Sequence, residues 1–271
     1  MGRPEDPGRA AWTVGGVQVQ GLSDGEFLAR PSYFGPSAAP SARPDAFDDQ
    51  GAARLPIGCF LLRTDDRLLL VDAGLGPETQ ALPDGMRLSG GALLDALVAL
   101  GAGPDAITDV ICTHLHADHV GWLFDRRGRP AFPRAAHWAG EGDLRHFVEG
   151  SGEMADHVRR GFRALPPGRL HAPTSRTVLT PGVAVEPAPG HTPGSLVVDI
   201  GLPGDRLLLI GDAITHPVQL EEEGWHSFGD VDVEEAQQTR DRLVALLTEP
   251  GTRLVGSHFP ALRPLGVAGS R

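Results

Sequence analysis

The sequence predicts an α/β protein of the α+β kind, in which mixed sheets are covered by helices. Apolar runs of strand length are clustered in two parts of the chain, helical patterns lie between and after them, and no internal repeat is visible. The 271 residues suit a single domain. We expect an N-terminal arm or lid with the first strand over residues 1–50, and the main domain over residues 51–271.

The composition disfavours several classes of function. With 35 acidic and 24 basic residues the net charge is −11, and an acidic surface repels nucleic-acid phosphates. All the basic residues are arginines, which excludes lysine chemistry such as a Schiff base. Cys59 and Cys112 lie in apolar runs and are predicted to be buried thiols. Since neither a signal segment nor a membrane span is visible, we expect a soluble cytoplasmic protein that binds neither nucleic acid nor membrane.

The N-terminal segment contains one predicted strand and a long irregular stretch. Residues 1–10 have the composition of a frayed arm, and the loose alternation of apolar residues from Trp12 to Leu22 predicts a strand. Residues 30–50 are rich in Pro, Ala, Ser and Asp. This composition fits either a flexible linker or a lid or dimer arm that carries Tyr33 and Phe34.

Strands and helices follow one another in the rest of the chain. Apolar runs bounded by turn residues predict strands at Ile57–Arg63, Arg67–Asp72, Asp109–Cys112, Val183–Glu186, Ser195–Ile200, Arg206–Ile210 and Arg253–Gly256. The first two of these form a hairpin. Apolar residues at helical spacing predict helices at Ala92–Leu100, 140–148, 153–165 and Val233–Leu247. Ser89 is expected to cap the first helix, and Asp232 with Glu235 to form a capping box at the last.

The strongest chemical signal is the segment His114-Leu115-His116-Ala117-Asp118-His119, directly after a predicted buried strand. Side chains two residues apart in extended backbone point the same way, so His114 and His116 can converge on one cation. Asp118 and His119 then turn with the loop toward a second cation. Imidazole and carboxylate ligands suit zinc and other divalent metals. The alternative, a solvated histidine-rich turn, is disfavoured because the chain has only 11 histidines.

Three more candidate ligands follow predicted strands. His191 lies in a tight turn rich in glycine and proline, Asp212 follows an apolar strand, and His258 follows the last strand. Taken singly, His191 could be a turn histidine, Asp212 a helix cap and His258 a core histidine. Loops at one edge of a sheet scaffold collect metal and catalytic groups, so the repeated position at strand ends favours one shared site.

With these residues the sequence resembles the metallo-β-lactamase superfamily over roughly residues 55–260. The resemblance implies an αββα sandwich with the site along one edge of its two sheets. It implies a first metal held by His114, His116 and His191, a second held by Asp118, His119 and His258, and Asp212 bridging the two. It also implies that Asp72 does not bind a metal itself but accepts a hydrogen bond from the other ring nitrogen of a ligating histidine.

The resemblance to particular branches narrows the expected chemistry. A bridging aspartate favours the hydrolase branch over true β-lactamases. The short stretch after His258 and the absence of lysine argue against glyoxalase II-like members, and the acidic charge argues against nucleases. The stretch from Gly211 to Leu220 and the ending Ser257–Pro260 are similar to lactonase, arylesterase and methyl-parathion-hydrolase-like members.

Lactonases commonly place a tyrosine shortly after the bridging aspartate. His216 stands there in this chain and is expected to donate a hydrogen bond instead, with a surface or supporting histidine as the alternative.

The sequence therefore predicts a hydrolase with two divalent metal ions, zinc in the first place and manganese, iron or cobalt as alternatives. A metal-bridging hydroxide is expected to attack a lactone or carboxylic ester, with Asp118, Asp212 and His216 as catalytic residues. A phosphotriester substrate and a non-hydrolytic tailoring role are the alternatives.

The expected partner is a small-molecule ester or lactone, and the segment 30–50 would allow a homodimer. Five aromatic residues are candidates for either the pocket wall or the core, namely Trp122, Phe124, Trp225, Phe228 and Phe259.

Overall fold

The computed structural model of the chain describes residues 10–222 and 224–266. Its strands are β1 (Ala11–Val14), β2 (Val17–Ala29), β3 (Ala53–Arg63), β4 (Leu68–Val71), β5 (Thr79–Ala81), β6 (Arg87–Ser89), β7 (Asp109–Ile111), β8 (Ala136–Trp138), β9 (Leu170–His171), β10 (Thr177–Thr180), β11 (Val183–Pro187), β12 (Leu196–Leu202), β13 (Asp205–Leu209), β14 (Thr252–Val255) and β15 (Leu265–Gly266). Its helices are α1 (Leu93–Ala99), α2 (Ala117–Val120), α3 (Glu141–Asp143), α4 (Asp156–Ala164) and α5 (Val233–Leu246), and a π-helix, Leu144–Glu149, continues α3. Among these described residues, no helix combines the length and the apolar character that crossing a bilayer requires.

The strands form two mixed sheets. The first has nine strands in the order β5-β6-β2-β3-β4-β7-β8-β9, with β1 paired to β2, and the second has six in the order β10 to β15. Neighbours from β4 to β9 in the first sheet are parallel, as are β13 and β14 in the second. This arrangement confirms the predicted α/β class with two mixed sheets.

Alternate residues of the central strands face two different cores. Leu69 and Val71 of β4 pack in a cluster with residues of both sheets and of α5. Leu68 and Leu70 pack in a second cluster with residues of α1, α4 and the π-helix. Because side chains of a strand alternate between its faces, β4 is buried on both sides and reads as a continuous apolar run.

The predicted strand from Trp12 to Leu22 is wrong in its extent, because the structure has a hairpin there. β1 and β2 are joined at Gly15 and Gly16, whose φ angles are +53° and +87°, a conformation that glycine adopts without a Cβ clash. β2 then continues to Ala29 between β6 and β3. The N-terminal strand thus shares a sheet with β3, while the boundary at residue 50 stays a prediction. Residues 1–9 of the predicted arm lie outside the described residues.

The segment 30–50 packs against the rest of the chain. It contains 3-10 turns at Pro31–Phe34 and Pro40–Ala42, and Tyr33, Phe34 and Phe47 are buried in a third apolar cluster. That burial argues against a flexible linker, and the role of the segment as a lid or dimer arm stays a prediction.

Two caps differ from prediction, whereas the cysteines agree with it. Ser89 lies in β6, and the Asp24 carboxylate accepts the Leu93 amide hydrogen bond at the start of α1 instead, at 2.8 Å. At α5 the Asp232 carboxylate accepts from the Glu235 amide at 2.9 Å, which is one half of the predicted capping box. Both cysteines are free and buried, as expected.

Candidate metal centre

The seven predicted ligands converge at the edge of the two sheets where several strands end. The His114–His119 segment follows β7 of the first sheet. His191 follows β11, Asp212 follows β13 and His258 follows β14, all in the second sheet. The centre is therefore built by both sheets.

The ligand atoms form three overlapping groups, each with its atoms within 4.8 Å of one another. The groups are His114, His116 and His191; His114, His119 and Asp212; and Asp118, His119 and His258. The Asp212 carboxylate lies 3.2 Å from His258 Nε2, 3.5 Å from His119 Nε2 and 3.8 Å from His191 Nε2. It stands between the first and third groups, where the resemblance implies a bridging ligand, and the bridging role stays a prediction.

The donor atoms fit a divalent cation. His114 Nε2, His119 Nε2 and Asp212 Oδ1 are buried and have no hydrogen-bond partner among the residues described. Buried polar atoms are rarely left unpaired, and these three belong to one group. Imidazole nitrogens with carboxylate oxygens are the donor set of zinc and similar metals.

The other ring nitrogen of two histidines is held by a fixed acceptor. His119 Nδ1 lies 2.8 Å from Asp72 Oδ2, and His258 Nδ1 lies 2.7 Å from the Pro56 carbonyl oxygen. Each contact fixes Nδ1 as the donor and directs Nε2 to the centre, where a bound cation would displace the Nε2 proton. The structure thus brings Asp72 to the place where the resemblance expected a supporting carboxylate.

Asp230 is a supporting residue that the sequence analysis missed. Its carboxylate lies 2.9 Å from His191 Nδ1 and accepts a hydrogen bond from Arg240 Nη1 at 3.1 Å, and all three side chains are almost completely buried. Asp230 is 39 residues from His191 along the chain, in the loop before α5. No spacing rule links two such positions, so only the folded chain reveals the pair.

Asp143 is a second missed residue, and it holds two of the ligand loops together. Its carboxylate accepts from the Leu115 amide at 3.0 Å, from Thr192 Oγ1 at 2.9 Å and from the Gly194 amide at 2.7 Å. Leu115 lies between the first two histidine ligands, and Thr192 follows His191. A single buried side chain therefore sets the distance between both loops.

The charges of the centre stabilise one another. Burial raises the pKa of Asp118, but His119 and His258 outweigh burial and hold it at about 2. Burial likewise opposes protonation of His119, yet Asp72, Asp118 and Asp212 raise its pKa to about 9. In His116, burial and the neighbouring His191 lower the pKa to about 3. The carboxylates are thus ionised across the neutral range.

A cavity of about 750 Å³ opens onto the centre. Its remaining wall is mostly apolar and contains Phe27, Tyr33, Leu75, Leu82, Leu88, Leu94, Leu115, Val120, Trp122, Phe124, Met154, Val158 and Phe228. Of the five aromatic candidates, Trp122, Phe124 and Phe228 line the cavity, whereas Trp225 and Phe259 are buried in the cores.

His216 does not line this cavity. Its Nδ1 accepts the Val218 amide hydrogen bond at 3.1 Å at the start of a 3-10 turn, and its ring packs on Phe34. Burial and the nearby Arg43 lower its pKa to about 4. This position corresponds to the alternative of a supporting histidine. The predicted hydrogen bond from His216 to a substrate stays a prediction, and no contact of His216 with the cavity supports it.

Comparison with known proteins identifies the family. The sequence profile described as "Metallo-beta-lactamase superfamily" matches residues 53–258. The chain belongs to the metallo-beta-lactamase superfamily. The matched range contains all seven candidate ligands of this superfamily member, from His114 to His258.

Curated relatives cover part of this metallo-beta-lactamase chain. An N-acyl homoserine lactonase of Bacillus sp is 28% identical over 178 residues, which are 59% of this chain and 65% of the relative. An N-acyl homoserine lactonase of Bacillus thuringiensis is 27% identical over 176 residues, with the same two shares. The chain spans 65% of the length of these curated relatives.

Solved structures share the metallo-beta-lactamase fold over nearly the whole chain. AidC, described as a dizinc quorum-quenching lactonase in complex with a product, superposes with a TM-score of 0.80 at 23% identity, over 97% of this chain and 95% of its own. The hydrolase AbOPH has a TM-score of 0.74 at 22% identity, with coverages of 94% and 91%. At these identities the likeness shows the fold.

Proposed function

We propose that this chain is a metal-dependent hydrolase that binds two divalent cations and cleaves a lactone or carboxylic ester carrying an apolar acyl group. The convergence of seven ligand side chains, with three buried unpaired donor atoms among them, carries the proposal. Family membership and the names of the curated relatives, N-acyl homoserine lactonases, support the choice of reaction.

Each group of ligands has a distinct role in the proposal. His114, His116 and His191 would hold one cation, and Asp118, His119 and His258 the other. Asp212 would be shared, as its distances to histidines of both groups suggest. When bound, such a pair of cations makes a coordinated water acidic and polarises a substrate carbonyl.

The protein's own groups would orient the reactants. The ionised Asp118 and Asp212 carboxylates can accept a hydrogen bond from the attacking water and fix its direction. Asp118 faces the cavity and is the residue proposed to take a proton from the attacking water and to pass it to the leaving alkoxide. The apolar wall would bind the acyl group and exclude water from it.

The apolar part of the wall suits a substrate with a hydrocarbon group, which in a carbon ester is the acyl chain. Leu75, Leu88, Val120 and Phe124 present aliphatic and aromatic surface, which suits an extended hydrocarbon chain. Each buried CH₂ group contributes roughly 0.8 kcal/mol, so kcat/KM should rise with acyl length until the cavity is filled.

The test is metal analysis combined with a substrate panel. Protein reconstituted with zinc, manganese, iron or cobalt is assayed with N-acyl lactones of increasing chain length, nitrophenyl esters and a nitrophenyl phosphotriester. We expect two metals per chain and the highest kcat/KM on a lactone or carboxylic ester. A chain that takes up no divalent metal, or that turns over no member of the panel, would contradict the proposal.

Single substitutions test whether the activity arises at this centre. Asp212→Ala should lose at least about a thousandfold in kcat/KM, because the anionic ligand that both cations would share is removed. His171→Ala is the matched control, since His171 stacks on Trp138 and does not line the cavity. Full activity in Asp212→Ala would place the reaction elsewhere.

A further inference from the structure

Tyr33 is the only tyrosine of the chain, and it lines the cavity of the candidate centre. It lies in the buried turn Pro31–Phe34, with its ring edge against Phe27 at a centroid distance of 5.0 Å. Its carbonyl oxygen accepts a hydrogen bond from the Phe228 amide at 2.7 Å, on a loop that also lines the cavity. Phe27 thus packs on the ring, and the Phe228 loop holds the backbone of the turn.

A hydrogen-bonded chain of side chains ends at the Tyr33 hydroxyl. It begins at Gln219, whose Oε1 accepts from the amides of Thr215 at 2.8 Å and His216 at 3.1 Å. Those two backbone donors fix the orientation of the amide group, so its Nε2 faces Ser227 Oγ at 3.3 Å. An amide nitrogen only donates, and Ser227 Oγ must therefore accept.

We assign donor and acceptor in the remaining two hydrogen bonds, Ser227–Thr215 and Thr215–Tyr33, by asking where each hydroxyl proton finds an acceptor. Ser227 Oγ lies 2.7 Å from Thr215 Oγ1, its only acceptor among the described side chains, so the Ser227 proton goes to Thr215. Thr215 Oγ1 lies 3.3 Å from the Tyr33 oxygen, and either group could donate. Thr215 is fully buried and has no other acceptor for its proton among the described residues, so we assign that proton to the Tyr33 contact. The Tyr33 proton is then left without an acceptor in the part of the chain that the structure describes, in a side chain that faces the cavity.

The hydroxyl keeps that proton over the working range of an enzyme. Burial, and after it the negative charge of Asp212, raise the pKa of Tyr33 well above its usual value. The group is therefore a neutral donor close to the candidate centre.

We propose that Tyr33 is a catalytic residue, which donates a hydrogen bond to the carbonyl oxygen of the bound lactone or ester. Thr215, Ser227 and Gln219 are its positioning residues, and the proton stays on the phenol throughout. A fixed donor aimed at an oxygen that gains negative charge stabilises the transition state more than the ground state. This inference rests on the proposed function. It assigns to Tyr33, in the N-terminal segment, the hydrogen bond to the substrate that the sequence predicted for His216.

The first test compares Tyr33→Phe with Ser32→Ala in the metal-loaded enzyme. Both variants delete one hydroxyl from the same turn, but Ser32 is exposed and its side chain stays outside the cavity lining. Tyr33→Phe should lose roughly tenfold to a hundredfold in kcat, with a smaller change in KM and unchanged metal content. Ser32→Ala should match the wild type. An unchanged kcat in Tyr33→Phe overturns the inference and leaves the proposed function standing, whereas an inactive wild type overturns the proposed function.

A second readout does not depend on turnover. The lactam analogue of the best lactone is bound to the wild type and to Tyr33→Phe, and the infrared band of its carbonyl is compared. A donated hydrogen bond lowers the carbonyl frequency, so the band should lie higher in the variant. Identical bands in both proteins contradict the proposed contact.

The positioning chain is tested by a double-mutant cycle. Thr215→Val removes the donor to Tyr33 and should cost roughly threefold to tenfold in kcat, and Thr215→Ser should restore most of it. In the Tyr33→Phe background, Thr215→Val should cost little more, because its effect passes through the missing hydroxyl. Additive losses in the double variant would show that Thr215 does not act through Tyr33.

Discussion

Single buried carboxylates determine how the ligand imidazoles are presented. Asp72 holds His119 at 2.8 Å and Asp230 holds His191 at 2.9 Å, each through the ring nitrogen that faces away from the centre. Such contacts select one tautomer and make the other nitrogen a better ligand. Arg240 in turn lies 3.1 Å from the Asp230 carboxylate and pairs with it in the buried site.

The contact between Asp230 and His191 leads to a prediction about metal affinity. Asp230→Asn should weaken metal binding by about tenfold to a hundredfold, because the amide replaces the carboxylate that accepts the hydrogen bond from His191 and orients its ring. Competition with a chromophoric chelator measures the affinity. Asp232→Asn is the control, since this residue caps α5 and asparagine caps a helix as well as aspartate does. Equal affinities in both variants would rule out the supporting role of Asp230.

A second residue-scale prediction concerns acid stability. Burial lowers the pKa of His137 in β8 to about 4, from a usual value of 6.5. Protonation of His137 is therefore less favourable in the folded state than in the unfolded state. As the pH falls from about 6.5 toward 4, the unfolded state takes up this proton first and the free energy of unfolding decreases. The loss amounts to roughly 3 kcal/mol for a shift of this size.

The measurement is urea unfolding of the wild type and His137→Phe across that pH range. Phe124, stacked on His137, can pack on either ring. Other titrating groups are common to both proteins, so the difference between the two pH profiles isolates His137. Parallel profiles would refute the assignment.

Secondary-structure elements position the ligand loops through the residues at their ends. Asp143 closes α3 and joins the loop after β7 to the loop that carries His191, through three hydrogen bonds. Asp24 of β2 similarly accepts the amides of Leu75 and Leu93 and the indole N–H of Trp122. The loops are thus attached to rigid elements, as precise metal geometry requires.

At the element scale we predict that Asp143→Ala destabilises the protein and weakens metal binding together. Leaving buried donors unpaired costs about 1–3 kcal/mol each, so the unfolding free energy should fall by several kcal/mol. Asp143→Asn, which keeps one carbonyl acceptor, should show an intermediate loss. Glu141→Ala, an exposed change in the same helix, should show almost none. Denaturant unfolding checks the order of the three variants, and any other order would contradict this role of Asp143.

At the scale of the whole molecule, the candidate centre lies where the two sheets meet. His114 and Asp118 follow a strand of the first sheet, and Asp212 and His258 follow strands of the second. A cation bound by both sets would connect the two sheets. Since unfolding separates these ligands, metal binding should favour the folded state.

Metal removal should therefore lower the melting temperature. A metal present at a thousand times its dissociation constant contributes about 4 kcal/mol to the unfolding free energy. Calorimetry with added zinc and with a chelator measures the difference, which should nearly vanish in Asp212→Ala. Equal melting temperatures of the wild type under both conditions would exclude a centre that links the sheets.

Local patterns in the sequence determined the hairpin of β3 and β4, the buried strands, and the choice of ligand residues. These features depend on side-chain alternation and on short spacings, such as the i, i+2 spacing of His114 and His116, which hold in any fold. The turn at Gly15 and Gly16 was missed, because a loose apolar pattern runs through it without a break.

Only the tertiary structure decided which distant side chains meet. Tyr33 contacts Thr215 across 182 residues, and Asp230 contacts His191 across 39. Such pairs arise from the packing of the two sheets and of the segment 30–50, and neither has a periodic signature. The same packing directed His216 away from the cavity and left Tyr33 facing it, because a side chain's direction depends on the neighbours that cover it.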